Sequence, residues 1–314
     1  MKQNKILIIS GPTAVGKTNL AIKCFEALNC VLISADSMQV YKECNIATAK
    51  LSKKELSKYP HELIDIKELT EEFSVKEFVD VADEQIQKAF SRNKLPIIIG
   101  GTGFYIETLL YKLSLGNTSK NDAIRKKLEA KIAKNGYDAL YADLCKVDPE
   151  TAQKLSPNDR SRIVRALEIY YATGKKKSEQ TDKPTRFANK RYDYELVFIN
   201  QERTTIYSRI DARVDEMQKN GLVEEAKLIY TKTKANPSSQ IGKAIGYREL
   251  FDHFENKMSL PDAIQKIKQH SRNYAKRQLT WFRDFPNKTV FEGTDATENA
   301  LKHILKEFNS FHKP

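Results

Sequence analysis

Residues 11–18 read GPTAVGKT, directly behind a short apolar run, KILIIS, at residues 5–10. The spacing is G-x-x-x-x-G-K-[ST], placed where a strand ends and a helix begins. Gly11 and Gly16 let the backbone turn so that successive N–H groups point inward, and the following helix presents its positive end to an anion. Lys17 adds a fixed charge, and the Thr18 hydroxyl is suited to holding Mg²⁺. Gly11, Pro12, Thr13, Ala14, Val15, Gly16, Lys17 and Thr18 are therefore the expected phosphate-binding residues. A loop of this kind implies a parallel sheet built around the strand that precedes it.

The next stretches agree. Apolar residues recur at helical spacing through Leu20, Ala21, Cys24 and Leu28. VLISAD, from Val31, reads as a second buried strand, and LPIIIGGTG, from Leu95, as a third. Between them FSVKEFVDVADEQIQKAFSR predicts a helix with Phe78, Val81, Ala82, Ile86 and Ala89 on one side. Short apolar strands alternating with helices give an α/β fold, a P-loop NTPase-like parallel sheet flanked by helices. Ligands of such sheets collect beyond the carboxyl ends of the strands, where GPTAVGKT, ADSMQVY and GGTGFY all lie. A nucleotide hydrolase would carry a Mg²⁺-holding acid at the end of a further strand. The third strand ends in glycines instead, and the carboxylate, Asp36, follows the second. Asp36 could bind Mg²⁺, take a proton from a nucleophile, or merely cap the next helix.

The 314 residues are 40% hydrophobic and 30% charged, an ordinary globular composition. No apolar run approaches the ~18 residues that span a membrane, and the N-terminal run is shorter than a signal peptide core. A cytoplasmic protein is expected. Cys24, Cys30, Cys44 and Cys145 form no C-x-x-C pair, so neither a zinc site nor a disulfide framework is suggested. The net charge of +12 is unevenly placed. Residues 1–110 hold 14 basic and 14 acidic residues, leaving 39 basic and 27 acidic residues for 111–314. A basic rear behind a neutral phosphate-loop front fits a polyanionic partner.

Past Leu115, GNTSKND is a polar link, and residues 123–174 read as charged helix. SPNDRSRIVRALEIYYATG opens with cap residues, repeats apolar positions at Ile163, Leu167 and Tyr170, and stops at Gly174. KKKSEQTDKP reads as an exposed basic connection. YELVFI returns to strand from Tyr194. TIYSRIDARVDEMQKNG follows as an amphipathic helix with Ile206, Ile210, Val214 and Met217 on one face, and the remainder reads as helical to the end. The expected organisation is a core of residues 1–118 and 183–314, with a helical C-terminal part, interrupted by a helical insertion at 119–182.

GPTAVGKT, ISADSMQVYKECNIATAK, PHELIDI, PIIIGGTGFY, NDRSRIVRALE, IGYRE and AKRQLTWFR follow one another in the order and approximate spacing of the tRNA dimethylallyltransferases, the tRNA isopentenyltransferase family. The resemblance runs from about Ile6 to Arg283. The chain ends about thirty residues after TWFR, like bacterial members and without the zinc finger of eukaryotic ones. It implies transfer of a dimethylallyl group from dimethylallyl diphosphate to N6 of adenosine 37, in tRNAs that read codons beginning with U, with release of diphosphate.

By that resemblance Asp36 accepts the proton of the amine, while the loop, Lys17, Thr18 with Mg²⁺ and Arg213 stabilise the departing diphosphate. Thr102 lies close to the adenosine. Asp36, Ser37, Met38 and Gln39 match the stretch at the flipped base. Ser161, Arg162, Ile163, Val164 and Arg165 match an anticodon-contacting helix, and Arg125, Lys243, Gly246, Tyr247, Arg248, Lys276, Arg277 and Gln278 match further tRNA contacts. The partners implied are the anticodon stem-loop of tRNA and dimethylallyl diphosphate, with no membrane and a monomeric enzyme. Taken without the resemblance, Thr102 reads as a turn residue, Arg213 as a solvated helix arginine like Arg209, and Trp281 as core; His61 reads as structural. The competing classes are an adenylate isopentenyltransferase acting on free AMP, ADP or ATP, a small-molecule kinase, and a nucleotide-gated RNA-binding protein. The first needs no basic rear or anticodon-reading helix. The kinase sits less well with GGTG after the third strand.

Overall fold

The expected strand at residues 5–10 is β1, Lys5–Ser10, buried from Ile6 onward because parallel neighbours pair with it on both sides. The computed structural model describes residues 5–111, 121–180, 187–234, 236 and 239–313. Five further strands join β1: β2 (Cys30–Ser34), β3 (His61–Glu62), β4 (Leu95–Ile99), β5 (Asp193–Asn200) and β6 (Lys288–Glu292). All pair in parallel, in the order β3-β2-β4-β1-β5-β6. Residues far apart in sequence, such as Leu7, Ile97 and Val197, thereby share one core.

The helices in chain order are α1 (Lys17–Ala27), α2 (Lys53–Lys58), α3 (Val75–Ser91), α4 (Gly103–Leu110), α5 (Asp122–Val147), α6 (Pro149–Gln153), α7 (Arg160–Thr173), α8 (Lys177–Gln180), α9 (Arg203–Lys219), α10 (Leu222–Lys232), α11 (Tyr247–Phe254), α12 (Leu260–Arg283) and α13 (Ala296–Glu307). Their ends follow local chemistry. Ser74 caps α3 by accepting from Glu77 N–H, Ser259 caps α12 with Pro261 in the first turn, and Gly174 closes α7 in the left-handed region.

The structure corrects several expectations. The C-terminal part is not helical throughout: residues 288–292 form edge strand β6, whose half-exposed, mixed sequence KTVFE hides the alternation of a buried strand. In α3 the packed residue is Val79, while Val81 is only half-buried. Part of the expected basic connection is α8, where Ser178 N–H donates to Asp148 Oδ2 at 3.0 Å.

The chain divides into two units, Met1–Tyr111 with Lys190–Pro314, and Lys112–Asn189. The insertion leaves and returns at neighbouring points, since Tyr111 pairs with Lys190 and Arg191 N–H donates to Leu110 O at 2.7 Å. The boundaries expected at 118/119 and 182/183 and most of the link GNTSKND lie outside the described residues. The second unit packs α5, α6 and α7 around its own core, which includes Leu128, Leu140, Leu144, Ile163 and Leu167.

Candidate active site

Strand order decides the site. Because β2, β4 and β1 are adjacent, the turns that follow them converge at one end of the sheet. The loop after β1 passes so close to β5 that a Cβ on Gly11 would lie 2.2 Å from Ile199 O, so only glycine fits there. Val15 turns inward and is 2% exposed in the main core. The loop backbone around it is left to face the cleft. Lys17 donates to Gly11 O at 3.0 Å and Pro12 O at 2.7 Å.

Thr13, Lys17, Thr18, Asp36, Gln39 and Arg213 line one cleft above this loop. Burial pushes the Lys17 ammonium down to about 7; Arg213 pushes the same way and Asp36 opposes them. Burial likewise lowers Arg213, against the attraction of Glu216 and Asp36. Two cations and one carboxylate therefore share a poorly solvated space, which is suited to a multiply charged anion. Asp36 Oδ1 accepts from Met38 N–H at 2.8 Å and Gln39 N–H at 3.2 Å. The helix-cap alternative read from sequence is corrected: residues 37–40 form a turn and the next helix starts only at Lys53, so Asp36 closes that turn, using one oxygen. Oδ2 takes no hydrogen bond among the described residues.

The cleft opens into a cavity of about 370 Å³. Ile210, Val214, Met217, Leu222 and Ile267 give it an apolar wall, while Asp36, Arg213, Tyr274 and Arg277 supply polar groups. Among the described residues Thr102 Oγ1 is buried without a hydrogen-bond partner, and the Tyr274 hydroxyl is a polar neighbour. Burial, reinforced by the Asp36 charge, pushes Tyr274 up to about 12, so it remains a neutral hydrogen-bonding phenol. As to a metal, Thr18 at the head of α1 fits Mg²⁺ in the way that ion is normally held, by few protein ligands together with substrate phosphate oxygens. No group of three or more His, Cys, Asp or Glu suited to a metal occurs among the described residues.

A family model described as IPP transferase matches residues 39–285. This chain belongs to the IPP transferase family. A tRNA dimethylallyltransferase of Bacillus cereus (strain B4264) is 41% identical over 306 residues, 97% of this chain and 95% of the relative. One from Bacillus licheniformis is 43% identical over 289 residues, 92% and 91% of the two chains. The full-length tRNA isopentenylpyrophosphate transferase of Bacillus halodurans superposes with a TM-score of 0.71 at 37% identity, covering 98% of both chains. A eukaryotic dimethylallyltransferase solved acting on tRNA gives 0.78 at 31% identity, covering 98% of this chain and 79% of that one.

The other residues singled out by family resemblance divide by exposure. Ser161, Arg162, Lys243, Arg248, Lys276 and Arg277 are exposed. Ser37, Met38 and Gln39 are half-buried at the cleft, where Gln39 Nε2 also donates to Thr48 O at 3.1 Å. Val164 is half-buried on α7. Three side chains are buried. Ile163 is 2% exposed in the insertion core, Tyr247 is fully buried, and Gln278 is 4% exposed with its amide bonded to two main-chain groups. Gly246 is also buried, against Ala47. Arg125 and Arg165 are bonded to buried Glu168.

Sequence reasoning missed Glu225. From α10 its carboxylate accepts from the N–H groups of Asn45, Ile46 and Ala47 at 3.0, 2.8 and 3.1 Å, and from Tyr247 OH at 2.8 Å. It thereby holds the loop whose Ala47, Thr48 and Ala49 wall the cavity. Nothing in the spacing of a surface-type helix betrays a partner some 180 residues away.

Proposed function

We propose that this enzyme transfers the dimethylallyl group of dimethylallyl diphosphate to N6 of adenosine 37 in tRNAs that read codons beginning with U. The observation that carries the reading is the meeting of phosphate loop, Asp36 and Arg213 in one cleft that opens onto an apolar cavity. An adenosine inside a stacked anticodon loop must be extruded to reach such a cavity. The N6 lone pair forms the new C–N bond while the allylic C–O bond breaks, and its electrons leave on diphosphate. Asp36 Oδ2 accepts the N6 proton. The loop N–H groups, Lys17 and Arg213 stabilise the diphosphate as its charge grows. Thr18 is placed to hold Mg²⁺, which supplies further charge neutralisation when bound. Thr102 Oγ1 and the Tyr274 hydroxyl are suited to orienting the base.

In the first unit the exposed Lys243, Arg248, Lys276 and Arg277, and in the insertion, taken by itself, the exposed Ser161 and Arg162, are the cations and polar groups proposed to meet RNA, and the anticodon stem-loop is the part of tRNA proposed to bind. One chain supplies every residue of the cleft, which supports a monomeric enzyme. No helix among the described residues is long and apolar enough to cross a membrane. We place the enzyme in the cytoplasm, with its RNA substrate. The test is incubation with dimethylallyl diphosphate, Mg²⁺ and either an unmodified anticodon stem-loop or AMP, followed by nucleoside mass analysis. A five-carbon addition to the stem-loop adenosine is expected. Addition to AMP alone, or none, would overturn the reading.

A further inference from the structure

Gln278 sits on α12 directly after the exposed cations Lys276 and Arg277, yet its own side chain is 4% exposed. Its Oε1 accepts from Thr13 N–H at 2.8 Å, and its Nε2 donates to Gly101 O at 3.0 Å. One amide thus joins the phosphate loop after β1 to the glycine turn after β4. Gly101 is part of the same device: a Cβ there would lie 1.9 Å from Gln278 Nε2, so the side chain occupies the space a larger residue would need. A primary amide suits this task, since it offers a donor and an acceptor on adjacent atoms at one end of a flexible stem.

We infer that Gln278 is a positioning residue for the diphosphate, fixing the phosphate loop to the neighbouring glycine turn, and not an RNA contact. The inference rests on the proposed prenyl transfer for the identity of the anion. It follows that diphosphate affinity depends on an uncharged side chain of α12. Losing the amide frees Thr13 N–H and Gly101 O in a buried place and lets the loop sample conformations in which its N–H groups no longer converge.

Two variants separate this from a merely structural role. Gln278→Met keeps the length and removes both bonds. Gln278→Glu keeps an acceptor for Thr13, but donates to Gly101 only while its carboxyl is protonated. Calorimetric titration with inorganic diphosphate and with an unmodified anticodon stem-loop, at pH 5.5 and 8 and alongside the wild type, reads both affinities. Expected for Gln278→Met is a diphosphate affinity weaker by roughly 10- to 100-fold with RNA affinity within about twofold. In steady state the same variant should raise KM for dimethylallyl diphosphate and leave KM for RNA unchanged. Gln278→Glu should bind diphosphate more weakly than the wild type at pH 8, where the bond to Gly101 is lost, and approach the wild type, measured at the same pH, at 5.5. Lost RNA affinity with intact diphosphate affinity would overturn the inference, as would a Glu variant whose ratio to wild type ignores pH. A Met variant that fails to melt cooperatively leaves the Glu variant to decide. Failure of the wild type itself to bind diphosphate would count against the proposed function instead.

Discussion

The Lys17 ammonium donates to the Pro12 carbonyl at 2.7 Å, so the phosphate-loop lysine rests on the backbone of its own loop. Burial there holds it at about 7 instead of 10.5. Above neutrality the free protein carries a neutral lysine, and binding a diphosphate must draw a proton back. Affinity for dimethylallyl diphosphate should therefore fall as pH rises above about 7, by at most about tenfold per pH unit, with proton uptake visible in buffers of different ionisation heat. Folding shows the opposite trend. Between about pH 7 and 10.5 the unfolded chain keeps a proton that the folded chain has released, so this lysine makes the fold more stable as pH rises. Lys17→Arg should flatten the binding profile.

Asp36→Asn is the informative change at the carboxylate. Asparagine Oδ1 still accepts from Met38 and Gln39, so the turn survives while the proton acceptor is lost. Turnover should fall by about 10²–10⁴ with stem-loop affinity within a few-fold. Unchanged single-turnover rates would remove Asp36 from the chemistry.

Glu225→Ala should release the 45–47 loop and leave three N–H groups and the Tyr247 hydroxyl without their acceptor. A cost of about 1–3 kcal/mol per buried unsatisfied group bounds the effect from above, because the loop can reach water. The expected signature is a raised KM for the prenyl donor, since that loop walls the apolar cavity.

Glu168 in the insertion binds Arg125 at 2.8 and 3.0 Å and Arg165 at 2.7 Å. Burial alone would raise its carboxyl, but the two arginines and Asn121 N–H outweigh this and hold it down at about 2. Its contribution is therefore complete above the ordinary 4.5 and is lost as pH falls toward 2. Glu168→Ala leaves two arginines without their shared anion and should destabilise the insertion by about 3–5 kcal/mol, read by urea unfolding at pH 7.

RNA affinity should weaken with salt at a log–log slope of about −0.7 per single-strand phosphate contact. Lys276→Ala and Arg277→Ala should each make the slope shallower by about that amount. A salt-insensitive affinity would leave the basic surface without its proposed role.

The phosphate loop, the first strands and helices, the acid after β2 and the insertion were legible in the chain because each depends on short-range order. Glycine spacing, apolar periodicity and cap residues are all written within a few residues of where they act. Edge strand β6 was not legible, since a half-exposed strand carries no continuous apolar run. Nor were the duties of the polar side chains. Arg165 and Arg162 look alike in NDRSRIVRALE, but only the packing of α5 on α7 brings Arg165 to a buried carboxylate shared with Arg125. Gln278 reads as one more polar residue of a basic helix until the fold carries it to Thr13, 265 residues away in sequence. The sequence alone settled the kind of sheet and the place of its glycine-rich loop. Which side chains line the cleft and which brace the loops was settled by strand order and helix packing, because those contacts span distances along the chain that no local pattern records.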